Sequence, residues 1–269
     1  MDEEGIPMIL DEIAKKTMER VVERKKGRSV EELKKMIQEG TYVSNRGDFA
    51  FENALKGNTV KFICEVKKAS PSKGVIAEDF PYLQIAKEYE KAGANAISVL
   101  TEPYYFLGSD EFLKEISKNV NIPIIRKDFT VDEYMIYEAK AYGADAVLLI
   151  CAILSEKQLK EYKELADSLG LTALVETHDE KEIAMAMRAG ARVIGVNNRN
   201  LKDFTVDINH SVELRKLVPE NIVFVSESGM KTREDIKRLE ENKTNAVLIG
   251  ETLMRSENKK EMLDELAGR

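Results

Sequence analysis

Eight short apolar runs, each too brief for a helix and rich in Val and Ile, recur along the chain with charged amphipathic stretches between them. They are Lys61–Lys67, Ala96–Leu100, Ile122–Arg126, Ala146–Ile150, Thr172–Glu176, Arg192–Val196, Ile222–Ser226 and Ala246–Gly250, with starts 20 to 35 residues apart. Nearly continuous apolarity predicts parallel strands buried on both faces, and the intervals leave room for one crossover helix per strand. Three joints share a pattern: Gly93-Ala94-Asn95-Ala96, Gly143-Ala144-Asp145-Ala146 and Gly190-Ala191-Arg192-Val193 each lead into a run. Glycine suits the left-handed end of a helix, and the small residue after it lets the chain turn into the next strand. Eight such units close most naturally into an α/β barrel, the (β/α)8 or TIM barrel, for which 269 residues is a fitting length. A doubly wound open sheet shares the periodicity and is the alternative.

Residues 1–60 read as a helical extension packing on a single barrel domain of residues 1–269, with no Gly/Ser- or Pro-rich linker to separate a second domain. Apolar positions Ile9, Leu10, Ile13, Met18, Val21 and Val22 mark the packing side of a first helix. Ser29-Val30-Glu31-Glu32 has the capping-box form and predicts a second helix ending near Gly40. No apolar run approaches the ~18 residues of a membrane span. The start, Met1-Asp2-Glu3-Glu4-Gly5, has neither the basic nor the apolar part of a secretory signal, so a cytoplasmic protein is expected. Cys64 and Cys151 lie inside apolar runs and read as inert core thiols. A net charge of -7 argues against nucleic-acid binding, so any anion site must be local.

In parallel barrels the chemistry sits at the C-terminal mouth, and the polar ends of the runs are the residues to inspect. They read Glu65-Val66-Lys67, Thr101-Glu102-Pro103, Arg126-Lys127-Asp128-Phe129, Glu176-Thr177-His178, Asn197-Asn198-Arg199, Ser226-Glu227-Ser228-Gly229 and Gly250-Glu251. A neighbouring pair would read as a structural salt bridge, but so many ionisable groups converging on one mouth point to a site. Strand alternation places Glu65 and Lys67 on one face and Cys64 and Val66 on the other. Gly229 and Gly250 fall where barrels bind phosphate through backbone N–H groups. The stretch Lys67–Gly74 is long enough for a lid over an anion. His178 and His210, the only histidines, have no ligand spacing and read as surface or loop residues, and no metal site is expected. Dinucleotide, Walker, nucleophile-elbow and zincin motifs are absent.

The segment Glu65-Val66-Lys67-Lys68-Ala69-Ser70-Pro71-Ser72-Lys73-Gly74 resembles the ExKxxSPSxG signature of indole-3-glycerol-phosphate synthases, and the resemblance continues in register through the strand ends above. It implies a TIM barrel that closes an indole ring on 1-(2-carboxyphenylamino)-1-deoxyribulose 5-phosphate, releasing carbon dioxide and water, in tryptophan biosynthesis. No cofactor is implied, because the iminium formed on ring closure accepts the electrons of decarboxylation. Lys127 matches the general acid, and Glu65, Lys67 and Glu176 match residues with acid–base work whose division is open. Lys67 is also suited to the substrate carboxylate, Glu65 and Glu176 to a cationic intermediate, and Glu227 is a further site carboxylate. Asn197, Arg199 and Ser70 match binding residues, Arg199 being shaped for a planar anion or for orienting Glu227. Ser228, Gly229, Gly250 and Glu251 match the phosphate cradle. Pro71, Phe106, Phe129, Leu148 and Leu201 match the apolar pocket for the aromatic ring. The chain has no Trp, so an aromatic wall that some members draw from the N-terminal helix must be replaced or absent.

Two rival readings differ from this one in residues the sequence shows. Phosphoribosylanthranilate isomerases carry a catalytic Cys on the first strand and an Asp on the sixth, but Cys64 is out of phase with Glu65 and the sixth run ends in Asn197-Asn198-Arg199. A non-catalytic metabolite-binding barrel would not need a full catalytic set. The expected partner is a small phosphorylated molecule, with no nucleic acid and no membrane, and the expected state is a monomer, with a weak homodimer as the alternative.

Overall fold

The computed structural model of the chain describes residues 9–40, 42, 46–200 and 203–269. In chain order its strands are β1 (Lys61–Val66), β2 (Ala69–Ser70), β3 (Gly74–Val75), β4 (Ala96–Leu100), β5 (Ile124–Lys127), β6 (Ala146–Ile150), β7 (Thr172–Thr177), β8 (Val193–Asn197), β9 (Val223–Glu227) and β10 (Ala246–Ile249). The short β2 and β3 pair as an antiparallel hairpin, so the stretch after β1 is more regular than a plain loop. The other eight correspond to the eight runs and are joined in parallel, with β10 closing on β1, which makes a barrel and excludes the open sheet. β5 starts at Ile124 rather than Ile122. Pro123 has no N–H for the ladder, although its carbonyl still accepts from the Ile97 amide at 2.9 Å.

The helices are α1 (Ile9–Gly27), α2 (Val30–Glu39), α3 (Ala50–Ala54), α4 (Tyr82–Ala92), α5 (Asp110–Asn119), α6 (Glu133–Ala141), α7 (Glu156–Ser168), α8 (Glu180–Arg188), α9 (Asn209–Leu214), α10 (Arg233–Glu241), α11 (Glu251–Arg255) and α12 (Lys259–Ala267). The glycines of the repeated joints, Gly93, Gly143 and Gly190, all have positive φ, as a left-handed helix end requires. α2 begins on the expected capping box, Ser29 and Glu32 reciprocally bonded, and ends on Gly40 at φ 69°.

Strand alternation splits the core in two. Cys64, Val66, Ile97, Val99, Val175 and Phe224 point outward against the helices, whereas Ile63, Ile125, Leu148, Leu174, Val225 and Leu248 fill the barrel. Both cysteines are buried, and burial pushes their thiols up, so they are un-ionised core groups. The inner core is closed below by Phe51 and Leu55 from α3 and its neighbouring residue, and above by Leu10 and Ile13 from α1. Each fully buried side chain of this kind contributes roughly 1.5–3 kcal/mol.

α1 corrects the sequence expectation. It buries Leu10, Ile13, Thr17, Arg20 and Val21, while Met18 and Val22 are exposed. The helix lies on charged strand ends, and Arg20 is drawn in by Asp128 at 2.7 Å, so the buried stripe is partly polar. Among the described residues no helix is long and apolar enough to cross a membrane.

Candidate active site

Above the apolar layers of the barrel, the next inward position on several strands is charged. Glu65 and Lys67 from β1 and its end, Lys127 from β5, Glu176 from β7, Asn197 from β8 and Glu227 from β9 line one cavity at the mouth. Its apolar side is Ile9, Leu10 and Ile13 from α1, with Phe106, Phe129 and Leu148. The wall expected to be replaced or absent for want of a Trp is aliphatic on the α1 side. Ser70, Pro71, Arg199, Ser228 and Glu251 complete the sequence-predicted lining. The cavity runs on into a groove that contains Gly229 and Gly250 together with Lys67, Lys73, Arg199, Lys231, Arg238 and Arg255. Leu201 lies outside the described residues.

Two glycines make the charged layer possible. A Cβ on Gly195 would stand 2.2 Å from Glu227 Oε1, and one on Gly250 would stand 2.5 Å from Glu65 Oε1 and 2.7 Å from Lys67 Nζ. No side chain fits at either place without moving a site residue.

Lys67 Nζ sits 2.6 Å from Glu65 Oε1, and the Ser98 hydroxyl donates to Glu65 Oε2 at 3.2 Å. Burial opposes ionisation of Glu65, but Lys67 and Lys127 outweigh it and hold the carboxyl below the usual range. Lys127 Nζ lies 3.4 Å from Glu176 Oε2 and 3.4 Å from Glu227 Oε2. Burial alone would favour the free amine, yet the Glu227, Glu176 and Glu65 carboxylates keep Lys127 charged, well above the lysine range.

Glu176 and Glu227 are equidistant from Lys127 and titrate in opposite directions. For Glu176, burial is outweighed by Lys127, by His178 and by the Asn197 amide, which donates to Oε1 at 3.2 Å, and its carboxyl is held far below the usual range. Glu227 has Lys127 to set against burial and the charges of Glu176 and Glu65, and its carboxyl is pushed up to about 7. Its Oε1 is buried without a hydrogen-bond partner among the described residues. The cluster titrates as one set, with Glu227 as the member that exchanges a proton near neutrality.

Other strand ends are structural. Glu102 accepts from the amides of Tyr104, Tyr105 and Phe106 at 3.0, 2.7 and 3.1 Å, which folds the loop that presents Phe106. Asp128 is bound by Arg20 and by the Thr101 hydroxyl. Arg199 donates to the Phe204 carbonyl at 3.2 Å, and among the described residues the ion pair of Glu227 is with Lys127. Cys64 points away from the mouth, against an isomerase reading. His178, expected to be an ordinary loop residue, is in a loop but only partly exposed and lies beside Glu176. The spacing Glu176-Thr177-His178 carried that signal, since residues two apart share a strand face. Among the described residues no cluster of three or more His, Cys, Asp or Glu is arranged to hold a metal ion.

A closed parallel barrel with convergent acid–base groups at one mouth, beside a cationic groove flanked by glycines, defines a (β/α)8-barrel enzyme built for an anionic substrate. The family profile "Indole-3-glycerol phosphate synthase" matches residues 10–266. The indole-3-glycerol phosphate synthase of Ruminiclostridium cellulolyticum is 57% identical over 261 residues, covering 97% of this chain and 99% of that protein. That of Thermoanaerobacter pseudethanolicus is 49% identical over 248 residues, covering 92% and 93%. The chain belongs to the indole-3-glycerol phosphate synthase family, carboxy-lyases of tryptophan biosynthesis. Among solved structures, a 3-hexulose-6-phosphate synthase superposes with a TM-score of 0.64 at 12% identity, covering 78% of this chain and 99% of that one, a likeness of fold alone.

Proposed function

We propose that the mouth cavity performs indole-3-glycerol phosphate synthesis with the residues placed in it, in the roles their environments permit. The observation that carries this is the order of the lining. An apolar end made by α1, Phe106, Phe129 and Leu148 is followed by the Lys127 cluster and then by the cationic, glycine-flanked groove. The substrate has the same order: aromatic ring, ketone, phosphate.

Lys127 protonates the ketone oxygen as the ring carbon bearing the carboxylate attacks the carbonyl carbon. Attack leaves a cationic nitrogen, and loss of carbon dioxide returns an electron pair that neutralises it. Glu65 and Glu176, held ionised, face this transient cation. Lys67 holds the substrate carboxylate until it departs. Dehydration then expels the hydroxyl from the new ring carbon as water, with one proton taken up from solvent, and removes a proton from the adjacent CH2. Glu227, poised near neutrality, accepts that proton and, 3.4 Å from Lys127, can return it to the amine. Asn197 steadies Glu176, Pro71 and Ser70 flank the ring, and Arg199, Ser228, Gly229, Gly250 and Glu251 surround the phosphate through guanidinium and backbone N–H groups. The proposed setting is the cytoplasm, with a small phosphorylated molecule as partner.

The test is to mix purified, metal-free protein with 1-(2-carboxyphenylamino)-1-deoxyribulose 5-phosphate and follow indole absorbance and fluorescence in wild type and Lys127→Met. Indole from wild type alone supports both reaction and general acid. Binding without indole in wild type defeats the synthase reading.

A further inference from the structure

The Glu176 carboxylate is held from two sides. Its Oε2 faces Lys127, whereas its Oε1 takes the Asn197 amide at 3.2 Å and has His178 Nε2 3.2 Å away. On the other side of the imidazole, Nδ1 is 3.0 Å from Glu182 Oε2, the same oxygen that accepts the His178 backbone N–H at 2.7 Å. An acceptor-only carboxylate on Nδ1 requires a proton there. A bare Nε2 lone pair 3.2 Å from a second carboxylate would be repulsive, so Nε2 also carries one. The Nε2–H is not aligned for a hydrogen bond to Glu176, and the atom is buried without a hydrogen-bond partner among the described residues, so the contact is one of charge. The loop is fixed from below as well: His210 Nε2 donates to the His178 carbonyl at 2.7 Å.

We infer that His178 is a positioning residue, an imidazolium fixed between Glu182 and Glu176 that keeps Glu176 ionised and turned toward Lys127. This rests on the proposed reading in which Glu176 acts in the reaction. The titratable and charged groups around it are Glu176 on β7, Glu182 on α8, and Asp179, Arg199, Asp207, His210 and Glu213 lining the groove on its open side, with Lys127 beyond Glu176. Burial works against the charged ring, but the two carboxylates outweigh it and raise His178 to about 10. His178 thereby supplies the asymmetry that the equal Lys127 distances do not, leaving Glu227 as the carboxyl that exchanges protons.

With only two histidines in the chain, imidazole 15N shifts can be followed residue by residue, with His210→Gln for assignment. In wild type at pH 8, His178 is expected doubly protonated, and in Glu176→Gln it is expected to titrate at lower pH. Titration of wild-type His178 near 6.5 overturns the inference, whether or not any variant folds. In kinetics, His178→Gln is expected to lower kcat by about 10- to 100-fold with KM within about 3-fold, as displacement of an acting group does. In the Glu176→Gln background the same change should cost little more. An additive loss there, or a wild-type kcat in His178→Gln beside an impaired Glu176→Gln, overturns the positioning role and leaves the site reading intact. An unimpaired Glu176→Gln overturns both.

Discussion

Arg126 and Lys127 are neighbours on β5, yet one points outward beneath α1 and the other into the mouth, and the charges around them are arranged differently. On the outer side, Arg126 is paired with Asp110 at 2.9 Å and Glu138 at 3.2 Å, and donates to the Met135 carbonyl and the Thr101 hydroxyl. Arg24 binds the same two carboxylates at 2.6 and 3.0 Å, and Arg20 binds Asp128 at 2.7 Å. Apart from Arg20 Nε, no buried charged atom of that cluster lacks a partner among the described residues. On the inner side the Lys127 contacts are 3.4 Å long and one Glu227 oxygen has no partner. A closed network fixes α1 to the barrel; an open one leaves room for a substrate and a carboxyl free to change protonation.

The comparison is tested most severely by removing one cation from each side. Lys127→Met is expected to reduce indole formation by about 10²- to 10⁴-fold, the usual range for a lost general acid. Its thermal midpoint should hardly move, since Glu227 can stay protonated once the ammonium is gone. Arg126→Met should do the reverse. It leaves Asp110 and the buried Glu138 to share Arg24 alone and is expected to lower unfolding free energy by about 3 kcal/mol in urea titrations. The kcat of the folded fraction should fall less than about 10-fold. Large kinetic loss with normal stability in Arg126→Met would erase the distinction between the clusters.

A smaller effect probes the spacing inside the mouth. In Gly195→Ala the new Cβ would stand 2.2 Å from Glu227 Oε1, so the carboxyl must move while every charged group is retained. The expected result is a loss of about 10- to 100-fold in kcat with KM nearly unchanged. A wild-type kcat would mean that Glu227 need not sit where it does.

The eight strands were legible because each is a dense β-branched run, and Glu65 and Lys67 because alternation puts them on one face, whereas Lys127, Glu176, Asn197 and Glu227 stood out from the other polar strand ends through the family resemblance. The buried face of α1 was legible only in part: Leu10, Ile13 and Val21 are buried as expected, Met18 and Val22 are not. Apolar spacing favours Met18 and Val22, whereas the helix turns Thr17 and Arg20 inward because Asp128 is below, and a hydrophobic pattern cannot register an ion pair 108 residues away in sequence. His178 was hidden for a similar reason: its second partner, Glu182, comes from the following helix. The difference between Glu176 and Glu227 was out of reach altogether, since it arises from which neighbours each carboxyl acquires when the strands converge.

That difference has a signature in stability as well as in rate. The Glu227 carboxyl is raised from an ordinary 4.5 to about 7, so between those values the unfolded chain has lost a proton that the folded chain retains. Its contribution is present below about 4.5 and is lost as pH rises to about 7. Asp128 is depressed below its ordinary 3.8, since Arg20 and Arg126 outweigh burial; its contribution is present above 3.8 and is lost only as pH falls through the depressed value. Over pH 4.5–8 the Asp128 contribution is therefore flat and that of Glu227 declines. Urea denaturation of wild type and Glu227→Gln across that window should give a stability difference that drifts, against wild type, by about 3 kcal/mol as pH rises, one pKa unit being worth about 1.4 kcal/mol. A difference that stays constant would mean that Glu227 is ionised throughout, that it is as firmly held as Glu176, and that the inner cluster is closed after all.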